Sequence, residues 1–278
     1  MGRDLDAAER GDAGGYHRAG GRVGHGGGDA ALTGAVAAST ATPIIVAGGI
    51  LNAASGAPTI APGAFVSIYG LNLSGATYVT PSTPYPTLLG GTQVLLGGRP
   101  MPLYFTSNHQ INAIVPYDLT PNSAQQVIVQ TGLAYSQPET VMVGVAQPGV
   151  FTQNLSGTGA GDIVGQKPSG MAAVNTPANP ASAGDYLLIF CTGLGTVSPA
   201  VATGAAAPMS PLSWTDNKVT VTVGGKDAQY LYSGLAPGWV GLYQVNVVVP
   251  SGIAPSPNVP LVVTAAGAAS LPVTVAIQ

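Results

Sequence analysis

The stretch Val94-Leu95-Leu96-Gly97-Gly98, followed by Tyr104-Phe105-Thr106 and then Gln110-Ile111-Asn112-Ala113-Ile114-Val115-Pro116, occurs a second time. It returns as Val221-Thr222-Val223-Gly224-Gly225, Tyr230-Leu231-Tyr232 and Gln244-Val245-Asn246-Val247-Val248-Val249-Pro250. A strand, turn and strand written twice predict two similar domains. The glycine pairs lie 127 residues apart and the Gln-x-Asn motifs 134, so the second copy carries seven extra residues between them, which points to one enlarged loop.

Each Gly-Gly pair separates two β-rich runs. Two consecutive residues of positive φ give the primed turn whose twist suits a hairpin, so Gly97-Gly98 and Gly224-Gly225 predict the same hairpin in both copies. Runs rich in Val, Ile, Tyr and Thr continue the pattern at Ala64–Tyr69, Thr92–Leu96, Leu103–Thr106, Ile111–Val115, Gln126–Gln130 and Thr140–Val145. The second set is Tyr186–Cys191, Val219–Val223, Gln229–Tyr232, Tyr243–Val249, Val259–Thr264 and Val273–Ile277. No long segment has a 3.6-residue apolar period, so helices should be minor. Six or seven short strands per copy predict an all-β chain of two tandem immunoglobulin-like antiparallel β-sandwiches, residues 43–147 and 148–278.

Of 278 residues only 7 % are charged and the net charge is −3, which supplies no basic surface for nucleic acid. Four arginines and five acidic residues fall in residues 1–42, a Gly-, Ala- and Arg-rich stretch without apolar periodicity, expected to be a disordered leader. Its weakly apolar part, Ala30 to Ala38, follows Asp29 and is a poor export signal. From Ala30 to Gly98 there is no charge, but Pro, Gly, Ser and Asn interrupt every apolar run, so no membrane span is expected. The single cysteine, Cys191, lies in an apolar run and reads as a buried thiol.

Ala61-Pro62-Gly63-Ala64-Phe65-Val66-Ser67-Ile68-Tyr69-Gly70-Leu71-Asn72-Leu73 resembles the opening strand and turn of TIG/IPT-type immunoglobulin-like domains. A longer string joins Asn52-Ala53-Ala54-Ser55, Gln110-Ile111-Asn112, Ala178-Asn179-Pro180-Ala181, Cys191-Thr192-Gly193-Leu194-Gly195, Leu235-Ala236-Pro237-Gly238 and Gly241-Leu242-Tyr243-Gln244-Val245-Asn246. It resembles the Solibacter-type C-terminal domain of large secreted acidobacterial proteins, over about residues 44–278. The resemblance implies an extracellular or cell-surface β-rich module, and it brings no catalytic set and no cofactor.

The residues themselves offer little reactive chemistry. His109 is the only histidine after residue 42, in the turn Ser107-Asn108-His109-Gln110, and a triad with Asp118 and a serine lacks a Gly-x-Ser-x-Gly elbow. The six carboxylates of the repeat region are scattered, although Asp185 and Asp216 both flank strands and stand open as a pair. Asn154-Leu155-Ser156-Gly157-Thr158-Gly159-Ala160-Gly161-Asp162 has oxygen donors for calcium but one carboxylate, and reads first as a flexible interdomain loop.

In Tyr243–Val249 the apolar residues share one face, while Gln244 and Asn246 share the other. Asn112 and Asn246, with Gln110 and Gln244, are expected to be equivalent buried amides that satisfy backbone groups of a neighbouring loop. Trp239, on the enlarged Pro-Gly loop, reads first as a plug over the end of the sandwich; displayed instead, it is with Trp214 and Tyr232 the candidate surface for a protein or a polysaccharide. The sequence thus points to a non-catalytic structural or adhesive module, with carbohydrate binding as the alternative and hydrolysis as a remote one.

Overall fold

Alternation decides which side of each strand is core. Thr92–Leu96 buries Thr92, Val94 and Leu96, Val219–Val223 buries its three valines, and Tyr243–Val248 buries Tyr243, Val245 and Val247. The computed structural model describes residues 41–80 and 82–278, so the expected leader lies almost entirely outside the described residues. The described residues form strands and turns with no helix.

Four sheets make two immunoglobulin-like sandwiches. In the first, one sheet runs in the order Ile44–Asn52, Phe65–Leu71, Gln110–Ile114, Leu103–Thr106, Tyr78–Val79. Its partner runs Thr59–Ile60, Glu139–Val143, Ser123–Thr131, Thr92–Leu96, Leu88–Leu89. The second sandwich repeats this order, with Ile163–Gln166, Tyr186–Thr192, Tyr243–Val248, Gln229–Leu235 and Trp214–Thr215 in one sheet. Gly159–Ala160, Val273–Ile277, Ser256–Ala265 and Val219–Val223 make the other.

The likeness extends to detail. In each sandwich one short strand pairs parallel with the last long one, Thr59–Ile60 with Glu139–Val143 and Gly159–Ala160 with Val273–Ile277. A core of Ile, Val and Leu fills each sandwich, with Val66, Ile68, Val94, Ile111 and Val129 in the first and Leu187, Ile189, Val221, Val245 and Val263 in the second. Cys191 lies fully buried in that second core, and burial pushes its thiol far up from the ordinary value.

Both glycine pairs turn the hairpins that the sequence predicts, with φ of 56° and 78° at Gly97 and Gly98 and of 59° and 76° at Gly224 and Gly225. The seven extra residues of the second copy are divided. Gln229–Leu235 is a seven-residue strand where Leu103–Thr106 has four, and the following loop spans residues 236–242 against 107–109. The enlargement is therefore a longer strand as well as a longer loop.

The space around Gly98 and Gly225 is open, so a methyl group there meets only the backbone penalty of positive φ. Gly98→Ala and Gly225→Ala should each lower stability by about 1–2 kcal/mol, and the Asn replacements by less, as read by urea unfolding. A large difference between the two sites would show that the hairpins are not equivalent.

Candidate functional site

The motif residues of the sequence converge where the sandwiches meet. The Thr192 hydroxyl, fully buried, accepts the Phe65 N–H at 2.8 Å and donates to the Gly241 carbonyl at 3.3 Å. Asn52, also buried, accepts the N–H groups of Ala54 and Ser55 through Oδ1 and donates Nδ2 to the Gln147 carbonyl at 2.9 Å. Gly193 (φ 80°) lies so close to the Gln147 carbonyl that a β-carbon would stand 2.0 Å from its oxygen. Gln147 N–H in turn bonds the Gly193 carbonyl. These contacts explain Asn52-Ala53-Ala54-Ser55 and Cys191-Thr192-Gly193-Leu194-Gly195 as docking motifs.

Two apolar clusters complete the seam. Phe65 and Ile114 of the first sandwich meet Val240 of the second, and Ala54 of the first meets Phe151, Ala236 and Leu242 of the second. Beside them the buried Tyr243 hydroxyl donates to the Gly195 carbonyl, with half-buried Tyr117 packed against the same core. Burial pushes Tyr117 up to about 12 and Tyr243 well above its ordinary value, so both stay neutral.

The aromatic candidates divide. Trp239 is half-buried and packs against the cluster of Ala54, Phe151, Ala236 and Leu242, so it plugs the seam. Tyr232 is buried, with its hydroxyl on the Leu235 carbonyl at 2.9 Å. Trp214 is 42 % exposed and stands edge-on to Tyr232, with ring centroids 4.6 Å apart and planes at 73°. Trp214 and Tyr232 therefore do not form a coplanar platform.

The amide motifs are equivalent but placed differently from the sequence expectation. Gln110 donates to Asn112 and Gln244 to Asn246, each at 2.8 Å, and all four side chains are half-buried on the outer face of their sheets. They are not buried and they serve no loop backbone, because valine and isoleucine at the alternate positions claim the core side. The fully buried amides are instead Asn52 and Asn175, the latter holding both the N–H and the carbonyl of Ala276. Asn52 stood in the sequence only as part of Asn52-Ala53-Ala54-Ser55, and Asn175 carried no motif at all.

In the first sandwich the outer face forms a cleft of about 350 Å³ against the segment that opens the second. Asn112 donates to the Ser67 hydroxyl at 3.0 Å, making a row from Gln110 through Asn112 to Ser67. Tyr69 lies beside Gln110 in register, and Phe105 beside Asn112. Phe151, Thr152 and Leu155 form the facing wall. The supposed flexible loop is thus a wall, tied down by Gly157 N–H on Thr152 Oγ1 and by Leu155 N–H on the Thr152 carbonyl. Its Ser156 hydroxyl is held by Asn154 and Thr158.

The remaining reactive groups are held apart. His109 is exposed, with Nδ1 3.4 Å from the Gly70 carbonyl, while Asp118 pairs with Arg99. Asp185 bonds Lys167 and the Ser182 N–H, and Asp216 accepts from the Ser198 hydroxyl. Among the described residues no three His, Cys, Asp or Glu side chains group as a metal site. No described helix is long and apolar enough to cross a membrane.

No family model matches the sequence, and no curated protein is similar to it. Among solved structures the chain is similar to the surface glycan-binding protein PbSGBP-B from Prevotella bryantii, with 10 % identity over 83 % of this chain and 41 % of that one, at a TM-score of 0.28. It is also similar to SGBP-B of the Bacteroides ovatus mixed-linkage glucan utilization locus, with 13 % identity over 86 % and 48 %, at 0.36. Domains 5–6 of the S-layer protein SbsC match at 14 % identity over 85 % and 98 %, at 0.27. The chain spans less than half the length of the two glycan-binding proteins.

Removing the Asn52 side chain strands two N–H groups and a carbonyl inside the seam. Asn52→Ala should cost about 2–3 kcal/mol, whereas Asn112→Ala, at the surface, should cost under about 1 kcal/mol. Chemical denaturation of both variants measures the contrast.

Asp162 adds a pH dependence at the edge of the seam, where its backbone bonds Phe151 and Phe190. Its Oδ2 is buried without a partner, and burial raises the carboxyl to about 6. Between the ordinary carboxyl value and pH 6 the unfolded chain releases this proton and the folded chain keeps it, so stability falls as pH rises through that window. Unfolding free energies across it should show this decline in the wild type, and Asp162→Asn should lack that component.

Proposed function

We propose that this chain is a non-catalytic structural and adhesive module of an exported bacterial surface protein, in which two TIG/IPT-like sandwiches, residues 43–147 and 148–278, act as one stiff unit. The observation that carries the reading is the seam, where buried Thr192 takes the Phe65 N–H, Gln147 bonds Gly193, and two shared apolar clusters join the sandwiches. A linker that merely tethered two domains would leave their facing surfaces polar and separable. Here the facing surfaces hold Phe65, Ile114, Leu242 and Val240, which neither sandwich can leave wet without cost.

The Solibacter-type resemblance supports an extracellular or cell-surface setting, and the motifs that carry it are largely the seam residues. That coincidence explains how a set of recurring motifs can lack chemistry, since they specify docking. A surface this poor in charge also fits a partner met by shape and neutral hydrogen bonding, a protein or a polysaccharide, rather than nucleic acid.

Calorimetry should give a single unfolding transition for both sandwiches, and Thr192→Val should separate it into two or broaden it. The same folded protein should hydrolyse none of a panel of ester, peptide and glycoside substrates. Two independent wild-type transitions would refute the stiff unit, and turnover that follows the folded species would refute the non-catalytic reading.

A further inference from the structure

We propose that the cleft on the outer face of the first sandwich binds a neutral oligosaccharide, with Tyr69 and Phe105 as stacking surfaces and the row Gln110, Asn112, Ser67 as the hydroxyl-reading floor. This goes beyond the structural reading and moves the ligand surface away from Trp239, Trp214 and Tyr232.

Three features of the cleft select that ligand. Its volume of about 350 Å³ lies within the range of small-molecule sites, about 300–1,000 Å³. Every lining side chain is uncharged, so an anionic or cationic ligand would surrender its hydration without a counter-charge. The floor offers paired donors and acceptors: after the two internal bonds of the row, Gln110 keeps its carbonyl oxygen and each amide keeps a second N–H. A sugar presents hydroxyls that donate and accept together, and C–H faces that lie flat on an aromatic ring. Tyr69, 39 % exposed, is available for such contact.

The backbone argues against an extended peptide. Phe65–Leu71, Gln110–Ile114 and Leu103–Thr106 are interior strands with a neighbour on each side, so their N–H and carbonyl groups are spent in the ladder. Recognition on this face must come from side chains. In the second copy the residue opposite Asn246 is Leu188 rather than a serine, and Phe190 stands opposite Gln244 and packs into the seam. The duplication therefore kept the amide pair in both copies and made a polar floor in the first.

The test uses the full chain on an array of neutral and anionic oligosaccharides, with titration calorimetry of any retained sugar. Wild type should retain neutral glycans. Tyr69→Ala and Asn112→Asp should each weaken binding by about ten-fold or more, Tyr69→Phe should bind within about three-fold of wild type, and Trp214→Ala should leave binding unchanged. Unfolding curves matching wild type separate lost contact from lost fold, and Gln110→Ala is the second floor variant if Asn112→Asp fails to fold. Retention of anionic glycans alone, no retention, or neutral binding indifferent to Tyr69→Ala and the floor variant would overturn the proposal. Calorimetric coupling of the sandwiches is read separately and does not depend on this result.

Discussion

One buried hydroxyl ties the architecture together. Thr192 ends a central strand of the second sandwich, yet its oxygen takes the backbone N–H of Phe65, which begins a central strand of the first. A backbone N–H buried at a domain boundary has no water to turn to, and leaving it unpaired costs more than the bond contributes when made. The same oxygen reaches Gly241, in the loop that the second copy enlarged. Strand, partner strand and added loop are thereby fixed against one another, and Phe65, Ile114, Val240 and Leu242 can pack into a dry contact.

That contact also explains the asymmetry of two copies with the same strand order. The outer face of the second sandwich gives up Phe190 to the seam, and Trp239 closes over it from the enlarged loop. The corresponding face of the first sandwich stays partly open, walled by residues 151–155, and keeps Tyr69 and the amide row accessible. Both copies carry the amide pair on this face, and the seam takes the aromatic beside it in the second.

The hairpins and central strands were legible because alternating Val and Ile runs bounded by Gly-Gly leave one register. Thr92–Leu96, Leu103–Thr106, Val219–Val223 and Val273–Ile277 fall where the pattern places them. Ile44–Asn52 was not read as a strand, since Gly48 and Gly49 interrupt the alternation where the ladder shifts register. Two-residue strands such as Tyr78–Val79 carry no period at all. The site was less legible: the Gln-x-Asn pairs announced themselves by repetition, but their exposure depended on which side the valines filled. Asn52 and Asn175 gave no periodic signal, because their role is set by carbonyls 95 and 101 residues distant in the chain. Trp239 on a Pro-Gly turn was legible as a plug or as a displayed ring, and its packing on Ala54, Phe151, Ala236 and Leu242 makes it the plug.

The parallel strand pairs have a mechanical consequence. Thr59–Ile60 lies alongside Glu139–Val143, and Gly159–Ala160 alongside Val273–Ile277, joining an early segment of each sandwich to its last long strand. Tension applied along the chain would pull these neighbours in opposite directions along their length, loading the bonds between them together in shear instead of peeling them open singly. Each sandwich thus carries a small clamp against being drawn out along its length.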